Sequence, residues 1–213
     1  MRTFLPGAAA AALAFAIAAT AALPARADEA GDFLMRLRGI GFMTDTSGTT
    51  DAFGGQASTT NDYVPELDFT YFFTKNISAE LILATTKHRV KVKDSTGGDL
   101  NLGTVWALPP VLTLQYHFNP EGRWNPYVGA GINYTITYAD KKGPSVNRVS
   151  YSDEFGYAFQ AGIDYKIDDK WSLNFDVKKV FVSTDIVANG GGVNAKGTDL
   201  DPLVIGFGVG YKF

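Results

Sequence analysis

The last eleven residues constrain the fold of this chain more than any other segment. Leu203, Ile205, Phe207, Val209, Tyr211 and Phe213 recur with a period of two, and the positions between them are mostly small: Gly206, Gly208 and Gly210, with Lys212 near the end. A β-strand sends alternate side chains to opposite faces, so one face is apolar and ends in two aromatics while the other is nearly bare. On a soluble sheet edge that apolar row would template aggregation. A strand with lipid on one side and a narrow lumen on the other requires this pattern.

The opposite end agrees. Arg2 precedes an Ala-rich, almost wholly apolar run from Ala8 to Leu23, and Pro24-Ala25-Arg26-Ala27 follows. A basic start, an apolar run and a small-residue exit make a secretory signal peptide, so residues 1–27 are expected to be removed and residues 28–213 to form one domain. Pro24 and the small exit argue against an uncleaved anchor. The chain has no cysteine, which excludes a disulfide framework and a thiolate metal site. A net charge of -3 leaves no case for nucleic acid as a partner. Past Ala27 no apolar stretch is long enough for a membrane-spanning helix. A membrane location then requires a closed barrel, which alone satisfies the strand backbone in lipid.

Alternation and turn residues mark eight strands: 33–43, 63–73, one starting at Ile77, 108–118, 126–138, 155–167, 171–182 and the C-terminal strand. Short turns near 74–76, 119–125 and 168–170 alternate with long polar stretches near 44–62, 87–105, 139–154 and 183–200. Tyr71, Phe73, Tyr116, Phe118, Trp124, Tyr165, Trp171, Tyr211 and Phe213 crowd the short-turn end, and Tyr134, Tyr138, Tyr151, Phe155 and Tyr157 the long-loop end. Two interfacial girdles have that distribution. The expected fold is all-β: an eight-stranded antiparallel transmembrane up-and-down barrel with short periplasmic turns and long extracellular loops.

Six segments, taken in order, resemble the outer membrane protein W family, which includes the alkane-uptake barrel AlkL. They are Glu29 to Arg36, Phe69 to Asn76, Leu108 to Tyr116, Pro126 to Tyr134, Gln160 to Tyr165 and Leu200 to Phe213. The resemblance implies a barrel that passes small hydrophobic molecules across the outer membrane of a Gram-negative bacterium. The terminal Phe213, with Tyr211, resembles the sorting signal of such barrels, which implies periplasmic chaperones and the barrel-assembly machinery as partners during biogenesis. Outer-membrane lipid is the standing partner, and the long loops are what a phage or toxin would meet.

An eight-stranded barrel is narrow enough for side chains to fill. The inward set includes Arg36, Arg38, Glu66, Asp68, Glu80, Asp164, Lys166, Asp176 and Lys178. Both signs are present, so paired charges are expected to plug the lower lumen, with the Gly206-Gly208-Gly210 face leaving room for Arg36 and Arg38. Pro109-Pro110 removes two backbone donors at the upper end of the fourth strand. Two readings stand: the prolines start the strand at its loop, or they break the ladder and let an apolar solute leave sideways. The family resemblance favours the second, with Val105, Trp106 and Leu108 at the mouth and Phe53 contributing from the first long loop. Family members carry apolar lumen residues that pinch the channel. Ile82 matches such a position, but Lys178 stands where a large apolar side chain would complete it, so a charged constriction is expected.

Neither His88 nor His117 has partners that mark a catalytic triad or a metal site, and Gly190-Gly191-Gly192 lacks the strand–helix context of a phosphate loop. No enzyme activity, metal or cofactor is expected. The alternative function is a structural or adhesive barrel of the OmpX or OmpA kind, with a plugged lumen and working loops.

Overall fold

The computed structural model describes residues 28–43, 56–59, 62–93, 100–142, 149–151, 154–188, 193–199 and 201–213. The predicted signal peptide and Phe53 lie outside these residues. In chain order the described strands are β1 Phe33–Met43, β2 Gln56–Thr59, β3 Asp62–Phe72, β4 Ile77–Ala84, β5 Thr86–Lys93, β6 Leu100–Leu108, β7 Val111–His117, β8 Trp124–Lys142, β9 Val149–Tyr151, β10 Glu154–Lys166, β11 Trp171–Phe181, β12 Ser183–Ala188, β13 Val193–Asp199 and β14 Leu203–Lys212.

Eight of these strands close a ring. The order β1-β3-β4-β7-β8-β10-β11-β14 returns to β1, every pair antiparallel. This is the predicted eight-stranded barrel. Period-two burial follows each strand: Leu37, Leu112, Leu114, Ile132, Phe159 and Phe207 are exposed on the outer face, while the residues between them are buried in the lumen. Exposed apolar side chains are stable here because lipid, not water, covers them.

The stretches predicted as loops contain strands. β5, β6 and the upper part of β8 pair in series and carry the sheet beyond the ring, with β2 on the far edge of β5. β9, β12 and β13 form a separate three-stranded sheet. These strands escape hydrophobic periodicity because Lys87, Arg89, Lys91 and Lys93 alternate with little more than Val90 and Val92.

Closure joins the first strand to the last. Arg36 stands opposite Gly210, Arg38 opposite Gly208 and Ile40 opposite Gly206. A Cβ at Gly208 would strike the Leu37 carbonyl and sit 2.6 Å from Arg38 Cα, and one at Gly210 would sit 3.3 Å from Arg36 Cγ. Glycine at these positions is what lets two arginines lie against the closing strand. Gly208→Val is expected to destabilise the barrel by about 3 kcal/mol, because the obstacle is backbone that can move only by opening the seam. A lower urea midpoint for loss of the compact gel mobility of the unheated protein checks this; an unchanged midpoint would refute it.

Candidate functional site in the barrel lumen

The lumen has a polar lower part and a mostly apolar upper part, in which Asn133 and Thr86 are the buried polar residues among those described. In the lower part Arg36 donates to Asp164 through Nε (3.2 Å) and Nη2 (2.8 Å), and through Nη1 to Asp68 (3.2 Å), Thr70 (2.7 Å) and Glu80 (3.3 Å). Arg38 donates to Glu66 (2.6 Å), Asn174 (3.1 Å) and Glu80 (3.2 Å) and pairs with Asp68 at 2.9 Å. Lys178 pairs with Asp176 and, at 3.6 Å, with Glu66. All of these groups are buried.

Three cations thus meet five carboxylates, and neutral donors supply the remainder. Gln115 and Gln160 donate to Glu80 at 2.8 and 2.7 Å. Gln160 and the Tyr127 hydroxyl donate to Asp176 at 2.7 and 2.9 Å, and Asn174 donates to Asp164 at 2.9 Å. The Tyr127 ring occupies the space opposite Gly162, where a Cβ would collide with it, and lies beside the Arg36 guanidinium. A network of ion pairs this dense is a plug, since anything threading it must strip charges of their partners.

The periplasmic mouth carries a second cluster. Gly31, at φ +95°, turns the N-terminal segment so that buried Asp28 pairs with Lys166 at 2.9 Å and Lys212 at 3.3 Å and accepts from Asn125 at 3.0 Å. Lys166 therefore belongs to the mouth rather than to the central plug. His117 is held between Ser78 (3.0 Å) and Asn125 (3.1 Å) and packed between the tilted rings of Phe72 and Tyr127, a structural role. Among the described residues no group of His, Asp and Glu is placed to hold a metal ion.

Towards the extracellular side the lining changes. Arg36 and Arg38 give way to Ile40 and Phe42 on β1, Glu66 to Val64 on β3, and Glu80 to Ile82 and Ala84 on β4. The same change runs from Thr113 to Val111 on β7, Gln160 to Ala158 on β10, Lys178 to Val180 on β11 and Gly206 to Val204 on β14. Ile82, Val111, Ala158, Val180 and Val182 form one buried apolar cluster, and Ile40, Phe42, Ala84 and Val204, with Val64, another. This corrects the expectation of a charged constriction at Ile82. Lys178 is long enough to turn down to Asp176 and Glu66, and Val180 and Val182 supply the apolar partners instead.

Pro109 and Pro110 lie between β6 and β7. Towards β8 the wall holds, because the Pro110 carbonyl accepts from Tyr134 N at 3.1 Å and Asn133 Nδ2 at 3.0 Å. On the other side paired residues end at Ile82 opposite Val111 and resume at Thr86 opposite Ala107. Between them, Leu83–Thr85 and Leu108–Pro110 are unpaired across the wall. Buried Ala84 and Val111 bound this interruption from within. Trp106 is opposite Lys87, whose ammonium lies 5.0 Å from its ring centre, and Leu108 shares that outer face. These two residues flank the break on the lipid side rather than lining the lumen, because Ala107 takes the inward position. Val105, on β6, is opposite His88 on β5.

Residues 29–213 match the OmpW family. Outer membrane protein W of Escherichia coli strain K12 is 39% identical over 199 residues, covering 88% of this chain and 91% of its own. Outer membrane protein AlkL of Ectopseudomonas oleovorans is 28% identical over 155 residues, covering 72% of this chain and 67% of its own. The crystal structure of the outer membrane protein OprG from Pseudomonas aeruginosa superposes with a TM-score of 0.81 at 28% identity, over 89% of this chain and 99% of that one.

Proposed function

The chain belongs to the OmpW family of outer-membrane barrels, which are not enzymes, and from that premise we propose that it passes small hydrophobic molecules from outside the cell into the bilayer. The observation that carries this reading is the switch of lining to apolar above the plug. An apolar solute entering from outside gains by leaving water for the walls made by Ile40, Phe42, Ile82, Val111, Val180 and Val204. Below them it meets ion pairs that offer nothing to hydrocarbon. The interrupted ladder at Pro109-Pro110 is the way out, with Ala84 and Val111 on its inner side and Trp106 and Leu108 on its outer side. The resemblance to AlkL supports an apolar cargo.

Biogenesis follows the same reading: residues 1–27 direct export and are removed, and the barrel-assembly machinery reads the end of β14. There, exposed Phe213 donates its N–H to Phe33 O at 2.9 Å and its ring lies 5.0 Å from that of Tyr211.

Uptake of a labelled medium-chain alkane and of a sugar of similar size, by cells with and without the protein, tests the function. Faster alkane uptake with no effect on the sugar is expected. Equal alkane uptake, with the barrel shown to be folded in the outer membrane, would favour the second reading. That reading is a structural or adhesive barrel, and the dense ion pairing of the plug supports it.

A further inference from the structure

One strand of the ring departs from the rule that the others follow. Above the plug, β1, β3, β4, β7, β10, β11 and β14 each turn an apolar side chain to the lumen, but β8 turns Asn133. The lumen face of β8 passes from Gly129 and Gly131 to Asn133, and its period of two continues upward through Thr135 and Thr137. Asn133 is buried, opposite Val111 on β7 and Gly156 on β10. It therefore stands beside the Pro109-Pro110 break on the lumen side, where its Nδ2 donates to the Pro110 carbonyl at 3.0 Å. The Thr135 hydroxyl in turn donates to Asn133 Oδ1 at 2.9 Å. Thr86, the other buried polar side chain above the plug among the described residues, is on β5 and donates to the Ala107 carbonyl at 3.5 Å.

A carboxamide carries two N–H donors and two acceptor lone pairs, and a hydroxyl oxygen accepts as well as donates. Among the described residues, the hydrogen bonds of Asn133 use one N–H and one lone pair, so one of each is left over, and the Thr135 oxygen has its acceptor capacity unused. Closure of the wall does not depend on Asn133, because the Pro110 carbonyl already accepts the ladder bond from Tyr134 N at 3.1 Å. An unspent donor and acceptor beside Val111 and its apolar cluster cost stability. Sites for apolar ligands carry a few such polar groups in an apolar lining, and these fix the orientation of what binds. We propose, on the premise that the upper lumen carries apolar solutes, that Asn133 and Thr135 bind the hydroxyl of an aliphatic alcohol while its chain lies against the apolar walls of the other strands. The hydroxyl accepts from the second Nδ2 hydrogen and donates to Asn133 Oδ1 or Thr135 Oγ1. Both of its hydrogen-bonding functions are then met, and no bond of the wall is broken. An alkane meets the same walls but leaves the Asn133 groups unpaired, and a site built in this way favours the solute that carries the hydroxyl.

The test uses the full barrel in phospholipid nanodiscs, isotopically labelled at asparagine nitrogens and valine methyl groups for NMR, with octanol and octane as probes. The side-chain amide pair missing from the spectrum of Asn133→Leu identifies Asn133. Octanol is expected to shift that pair to saturation and octane to leave it in place, while both solutes move the methyl signals of Val111 and Val180. Relative to partition into empty discs, wild type should hold octanol at least about fivefold more tightly than octane. Asn133→Leu should remove that margin, and the near-isosteric Thr135→Val should reduce it. Valine signals moved by both solutes, with the Asn133 amide unmoved by octanol, would overturn the hydroxyl site and leave apolar passage standing. No valine shift with either solute would overturn both. Folded Asn133→Leu and Thr135→Val barrels that keep the full margin would also overturn the hydroxyl site.

Discussion

Arg36→Met is expected to cost the folded barrel about 3–5 kcal/mol. The reason lies in what is left behind. Arg36 touches Asp164, Asp68 and Glu80, and all three are buried where water cannot replace it. Arg38 still holds Asp68 and Glu80, so the Asp164 carboxylate is the one stranded, with Asn174 as its remaining donor. Adding Asp164→Asn to the Arg36 variant should therefore recover a substantial part of the loss, since it removes the stranded charge rather than restoring the pair. Arg36→Lys should fall between, because an ammonium cannot reproduce the two parallel bonds to Asp164. Urea titration of the detergent-folded protein reads all three variants. A loss under about 1 kcal/mol for Arg36→Met would mean that water enters the plug, and the lumen would have to be regarded as wet.

The parts of the fold that could be read from sequence are those where one strand suffices. The glycine row of β14 announced its own strand and left room for two arginines. The inward charges were recognisable because each alternates with lipid-facing apolar neighbours on its own strand. The apolar upper lumen was not legible, because each strand contributes only one or two of its residues. Ile40, Val111, Val180 and Val204 look like ordinary strand residues until eight strands are set at their true stagger. Lys178 lies on the face its alternation predicts but acts below its own position, since a long flexible side chain acts where its tip is. The side of the break on which Trp106 and Leu108 stand is hidden in the sequence, because β6 and its parity lie in a stretch that reads as a polar loop. Asp28 gave a weak signal: it directly follows the expected cleavage site, and the lysines it pairs with are 138 and 184 residues away.

Replacing both Pro109 and Pro110 by Thr is expected to abolish most alkane uptake, by about tenfold or more, while leaving the barrel at least as stable. The register explains why so small a change would have so large an effect. Thr86 is four residues on from Ile82, and Ala107 is four residues back from Val111, so the pairings on either side of the break belong to one continuous ladder. No bulge or shift separates them; what is missing is hydrogen-bond donors. Adjacent residues of a strand point their N–H groups to opposite neighbours, so the two prolines remove one donor towards β4 and β5 and one towards β8. The side towards β8 tolerates this, since the Pro110 carbonyl is already bound there. Threonine would restore the donor on the open side and favour the strand conformation, letting residues 83–85 of the variant pair with its residues 108–110. The wall would then be closed at the level where the lumen turns apolar, and a solute held above the plug would have to return the way it came. Because the variant adds bonds to the barrel, lost uptake could not be put down to unfolding, and the urea midpoint verifies that point. Undiminished uptake through the closed wall would move the path off the prolines and back to the lumen axis, where the Arg36–Asp164 pair would have to open.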